Sequence, residues 1–324
     1  MKKTLTMILA AALMLTACQT KQTNAPSDNS LPAGSQIESE PITWEDVSQN
    51  TEEETSLPET PSVFPLLETG ETEIFNQNGI KISAAGFTME GKYGEPEITL
   101  LYENSTEHDI VVTLSDESVN GYMAAFVIDG KAAAGEKSYG SISIMSGDLA
   151  AVSIETITDV EFRFHIFDSF SWDTIVSEPI ILKAQESDYV QEYDDSGSVL
   201  YDDNNIRIIS KDFSQNEAKR YKAELYLYVE NNSDQGIEVA VPFDAVINGI
   251  EVEYDQSLGF LSDTFFWTEV LPGKKTIGLL VIPGDVLQNY GITTIHEMKA
   301  SFQIYKLGTS DLITETEPFT LTFD

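Results

Sequence analysis

The chain has 324 residues, with 54 acidic against 18 basic side chains and a formal net charge of −36. Holding nucleic-acid phosphates takes Lys and Arg, so this balance argues against nucleic acid and against adsorption on an anionic membrane face. It leaves cations and basic proteins as partners, beside simple solvation of an acidic surface. At 41% hydrophobic and 10% aromatic residues, the chain can fill two cores.

Lys2 and Lys3 precede an apolar run, Thr4 to Leu15, that is too short to span a bilayer comfortably. Leu15-Thr16-Ala17-Cys18 then resembles the lipobox of bacterial lipoproteins. The resemblance implies that residues 1–17 are a signal peptide and that Cys18 is diacylated as the mature N-terminus. An ordinary cleaved signal with an incidental cysteine is the alternative. Two acyl chains anchor stably where one binds marginally, at ~0.8 kcal/mol per buried methylene. The expected location is extracytoplasmic, lipid-anchored to the outer face of the cell membrane. Cys18 is the only cysteine, so once acylated it leaves no thiol for a disulfide, for catalysis or for a metal.

Residues 18–72 read as an acylated cysteine followed by a disordered acidic linker. The stretch is rich in Ser, Thr and Glu, carries Pro26, Pro32, Pro41, Pro58, Pro61 and Pro65, and has Lys21 as its lone base. A random coil of this length reaches on the order of 40 Å, further with charge repulsion. Trp44 and Phe64 read as solvated linker residues, with docking onto the folded part or a partner as the alternative.

Two stretches then repeat each other, residues 73–184 and 198–324. Tyr102-Glu103-Asn104-Ser105 matches Val229-Glu230-Asn231-Asn232, Asn120-Gly121 matches Asn248-Gly249, and Gly135-Glu136-Lys137 matches Gly273-Lys274-Lys275. Gly147-Asp148-Leu149 matches Gly284-Asp285-Val286, Phe164-His165-Ile166-Phe167 matches Phe302-Gln303-Ile304-Tyr305, and Glu178-Pro179 matches Glu317-Pro318. Kept order over this length means duplication. The first copy predicts strands near 79–87, 96–104, 108–115, 121–129, 137–145, 159–168 and 174–184. Alternation in Val160-Glu161-Phe162-Arg163-Phe164-His165-Ile166 predicts one buried face, of Val160, Phe162, Phe164 and Ile166. Asp148 and Asp285 stand where an N-cap would start a short helix. Seven strands in about 110 residues suit an all-β chain of two tandem immunoglobulin-like β-sandwiches without the usual disulfide. Residues 185–197 read as the acidic linker between them.

The run from Glu-Asn-x-Ser/Asp through Asn-Gly to Gly-x-Lys, together with the lipobox, resembles uncharacterised lipoproteins of Gram-positive Firmicutes. Those carry tandem immunoglobulin-like repeats and are loosely similar to immunoprotective extracellular-type domains. The shared motifs are turn residues, so the resemblance implies a fold and brings no active site.

No nucleophile elbow, phosphate loop, dinucleotide turn or zinc signature occurs. His108, His165 and His296 correspond to Gln235, Gln303 and Thr158 in the other copy and share no metal-ligand spacing. The expectation is a non-enzyme without a cofactor; a hydrolase with a site at the junction is the outside reading. Asp194, Asp195, Asp202 and Asp203 are weak calcium candidates, with a solvated acidic linker as the plainer reading. The second copy holds an insertion with Tyr254, Phe260, Phe265, Phe266 and Trp267, and the first copy a hairpin tip with Phe170 and Trp172. Aromatics dominate interface hot spots and sugar-stacking platforms. The expectation is that the chain binds an extracellular protein or glycan through its second sandwich, by the insertion aromatics, with the first-copy tip as the lesser candidate. Packing within their own domain is the competing role for both groups. An accessory or spacer subunit of a membrane transport or secretion complex is the second functional reading. Asn104-Ser105-Thr106 matches a glycosylation sequon but reads as a turn.

Overall fold

The computed structural model describes residues 62–66, 70–184, 188–215, 221–242, 244–252 and 264–323. The signal peptide, Cys18 and the tether to residue 61 lie outside them. The fold is all-β, and the helices among the described residues are short, Ser146–Ala151 and Gly284–Asn289.

In the first copy, five antiparallel strands run in the order Thr72–Gln77, Ile80–Thr88, Glu97–Asn104, Lys137–Ile144, Phe126–Ile128. A second layer is built on Ile110–Val119, Asp159–Asp168 and Ile180–Lys183. Ile82, Leu100, Tyr102 and Ile142 from one layer meet Val112, Val160, Phe162 and Phe164 from the other in a single apolar cluster. The period-2 pattern of Asp159–Asp168 is the cause: Val160, Phe162, Phe164 and Ile166 are all buried, as the alternation predicts.

The second copy repeats the plan. Ser198–Asp203, Ile206–Gln215, Tyr221–Asn231 and Lys275–Pro283 pair in the same order. The facing strands are broken: Ile237–Pro242 and Gln303–Lys306 belong to one four-stranded sheet, Ala245–Ile247, Glu297–Ala300 and Phe319–Thr322 to another. A second apolar cluster fills this copy.

Local chemistry explains why both copies fold alike. Asn120-Gly121 and Asn248-Gly249 form turns with positive φ at both residues, 49° and 81° in one, 51° and 78° in the other. That is the hairpin turn type for which Asn-Gly is preferred. Asn120 Oδ1 accepts the Thr158 and Asp159 N–H groups, and Asn248 Oδ1 those of His296 and Glu297. The Phe164 N–H donates to Ser177 Oγ as the Phe302 N–H donates to Thr316 Oγ1. The Asn amides tie segments 38 to 49 residues apart and the hydroxyls tie segments 13 and 14 apart, so matching side chains pin matching connections in both copies.

Three features depart from the sequence expectations. The end of the supposed linker is a strand, Ser62–Pro65, which adds in parallel to Ile180–Lys183. Pro65 is tolerated there because an edge strand need not donate on both sides, and Leu66 buries in the first cluster. Neither helix starts at its aspartate: they begin at Ser146 and Gly284, placing Asp148 and Asp285 in the first turn. Asp148 instead accepts the Ala125 N–H at 2.8 Å.

The third departure is at the junction. An eleven-stranded sheet runs through both copies, joined where Tyr122 pairs in parallel with Lys275. The Lys275 N–H donates to Gly121 O at 3.0 Å. Ile209 and Tyr228 of the second copy belong to the first copy's cluster. Lys274 forms an ion pair with Glu161, and Lys275 Nζ lies 4.1 Å from the Tyr193 ring centroid. Residues 188–197 are acidic yet anchored: Gln191 is buried against Asn120, and Tyr193 Oη donates to Asn120 O at 3.2 Å. Apolar burial between the copies thus accompanies backbone pairing, where composition alone suggested an acidic linker.

Candidate functional site

The tip between strands Asp159–Asp168 and Thr174–Val176 holds the most exposed aromatic pair among the described residues with large apolar side chains on one turn. Phe170 is 78% exposed and Trp172 74%. The turn beneath them is heavily hydrogen-bonded. Asp168 Oδ1 accepts the N–H groups of Phe170 at 2.8 Å and Ser171 at 2.9 Å. The Trp172 N–H donates to Asp168 O at 2.9 Å, and the Ser169 N–H to Asp109 O at 2.9 Å. Asp168 Oδ2 meets His108 Nδ1 at 2.8 Å. The His108 ring stacks on Phe170 at 4.9 Å between centroids and 28° between planes.

These contacts set the electrostatics of the turn. The Asp168 carboxyl is held down at about 2, first by the Ser171 N–H, then by His108 and the Phe170 N–H. Trp172 sits at φ 62°, a left-handed backbone that a bulky residue seldom adopts. The chain accepts that conformation while leaving the indole in solvent, so no burial of the ring compensates for it.

The second-copy candidates divide. Phe266 is 2% exposed and belongs to the second core. It packs over Gly278, where an added Cβ would come within 2.3 Å of the ring. The expectation that Phe266 is a contact residue is therefore corrected: in strand Thr264–Val270 its side chain falls on the inner face. Trp267, one residue on, points outward and is 53% exposed. Phe265 lies in the same strand, and its side chain is outside the described set, as are Tyr254 and Phe260 altogether.

The acidic candidates near the junction face cations of the chain itself. Arg207 lies 3.0 Å from Asp195 and 3.7 Å from Asp202, and Lys211 3.4 Å from Asp194. Asp203 accepts the Asn204 N–H. Asp194 and Asp195 thus serve the packing of residues 188–197 onto strand Ile206–Gln215, and no group of three or more metal-ligating side chains gathers among the described residues.

The histidines stay apart in role. His165 Nε2 is 2.8 Å from Ser115 Oγ, and no carboxylate among the described residues orients its other nitrogen. His296 contributes its backbone carbonyl to the Phe323 N–H. Sequence reading placed His108 in an ordinary turn; its place beneath Phe170 depends on a partner, Asp168, that is 60 residues away.

No protein-family model and no curated protein matches the chain. Among solved structures, the chain is similar to a crystal structure of a protein of unknown function from Porphyromonas gingivalis W83, at 12% identity. That match covers 76% of this chain and 100% of the other at a TM-score of 0.23, too low to carry an argument about fold or function.

Proposed function

We propose that the chain is a non-enzymatic surface lipoprotein, anchored through acylated Cys18, whose two immunoglobulin-like sandwiches present a contact surface to an extracellular protein or glycan. One observation carries this reading: Phe170 and Trp172 stand in solvent on a turn that is hydrogen-bonded throughout. Ordering side chains at an interface costs free energy, so aromatics held on a preformed turn bind with less loss. Trp267 of the second copy is a further exposed aromatic. The first-copy tip takes the place expected for the second-copy insertion, because Phe266 of the insertion is buried in the core.

The test is binding to a glycan array and to extracellular protein extracts by the full chain and by Phe170→Ala/Trp172→Ala. The variant should lose binding by tenfold or more at an unchanged melting temperature. Equal binding by both proteins would remove the tip from the function.

A second reading, an accessory or spacer subunit of a membrane transport or secretion complex, draws support from the sheet that continues through both copies. Stoichiometric co-purification with one membrane complex would favour it over the first.

A further inference from the structure

Between the two copies lies an open cleft of about 280 Å³. Met123 and Val152 of the first copy and Ile277 of the second give it apolar lining, and Glu117 and Glu269 project into it, one from each copy. Glu117 owes its position to a β-bulge. The pairing of strands Ile110–Val119 and Asp159–Asp168 shifts so that Asp116 and Glu117 together oppose one residue, Phe162. Bulges re-aim side chains in this way. Asp116 turns to Arg163, whose Nε lies 2.8 Å from its carboxylate.

Neither Glu117 nor Glu269 has a cationic partner among the described residues. Their neighbours at the junction do: Glu161 pairs with Lys274, and Glu230 with Lys275 at 3.4 Å. Glu117 is half-buried and Glu269 sits exposed at the cleft's edge. Partial loss of solvent pushes both carboxyls upward, with Asp116 and Glu269 adding at Glu117, and Glu238 and Asp116 at Glu269. The cleft therefore combines apolar walls with unmatched negative charge on opposite sides.

A guest that matches both features has an aliphatic stem and a cationic head. A bare calcium ion fits poorly, because it needs six to eight converging oxygens and gains nothing from apolar walls. We propose that this cleft receives a lysine or arginine side chain presented by a basic protein partner. The stem lies against Met123, Val152 and Ile277, and the head pairs with Glu117 and Glu269. The chain's charge of −36 draws such partners in, and the cleft gives the attraction a specific seat. The site is separate from the aromatic tip, and its test does not depend on that reading.

The probe is an acetylated, amidated Gly-Arg-Gly-Arg-Gly peptide titrated calorimetrically into the full chain at ~0.15 M salt, where long-range attraction is largely screened. Glu117→Gln/Glu269→Gln removes two charges in the cleft. Asp188→Asn/Glu192→Gln removes two from the exposed segment between the copies and serves as the control. The cleft pair should weaken binding about tenfold and the control less than twofold. Equal losses in both would assign the binding to bulk charge and overturn the proposal, as would no loss in the cleft variant. Glutamine is isosteric and relieves repulsion, so the cleft variant should fold. Its melting curve checks this, and a Glu117→Asp variant, which keeps the charge on a shorter stem, should retain more affinity than the double variant.

Discussion

Asn104 and Asn231 are the same residue used twice. Asn104 Nδ2 donates to His108 O at 2.8 Å and to Ala132 O at 3.1 Å, while its Oδ1 accepts from Thr106 N and Oγ1. Asn231 Nδ2 donates to Gln235 O and Val270 O, both at 2.9 Å, and its Oδ1 accepts from Ser233 N and Oγ. Each buried amide closes its own turn and ties it to a third segment. The sequon reading of Asn104 as a turn is thus given its reason: the amide nitrogen already has partners inside the fold.

Removing either amide leaves several buried carbonyl and N–H groups without partners. Asn104→Ala and Asn231→Ala should each lower stability by about 2–3 kcal/mol. Urea unfolding of the single variants measures this. A loss below about 0.5 kcal/mol would show that water replaces the amide at no cost.

Phe266 and Trp267 are adjacent and should behave oppositely. Phe266→Ala opens a cavity over Gly278 and should cost about 3–5 kcal/mol. Trp267→Ala, on the solvent face, should stay within about 0.5 kcal/mol. Thermal melts of the two variants side by side decide it.

Asp168 gives a pH dependence of known sign. Its carboxyl titrates lower in the folded chain, at about 2, than in an unfolded one, at about 3.9. The stabilisation is present above the unfolded value and is lost as pH falls from about 4 towards 2. Asp168→Asn should therefore melt earlier than the parent at pH 7, with the gap narrowing through that window. The same variant should loosen Phe170, read as a change in tip proteolysis.

Glu117 has the opposite sign. Burial raises its carboxyl in the folded state, and a backbone hydrogen bond only partly opposes this. Its contribution is most favourable below the unfolded value and worsens as pH rises through the folded one. Glu117→Gln should raise the melting temperature at pH 7 and leave it nearly unchanged at pH 4. No difference at pH 7 would mean the carboxylate is well solvated.

Much of the architecture was legible because it rests on local chemistry. The period-2 run from Val160 to Ile166 names its buried face directly, and Asn120-Gly121 and Asn248-Gly249 specify turns through backbone angles that few other residue pairs adopt readily. Matching these signals across the chain revealed the duplication, since each copy repeats the same local demands. Register and edge pairing are different. Backbone groups on any strand edge can pair, so nothing in Ser62–Pro65 announces that it adds to Ile180–Lys183, nor in Tyr122 that it meets Lys275. The insertion aromatics show the same limit: composition marked Phe266 and Trp267 alike, and only the facing of strand Thr264–Val270 separated core from surface. Glu117 was invisible for a third reason, a single extra residue in one strand that turns it into the cleft. What the chain alone determined are its alternations, its turns and its repeat, because those depend on neighbours in sequence. What tertiary structure decided are the joined sheet, the inner and outer aromatics and the unmatched acids, because those depend on segments that meet only after folding.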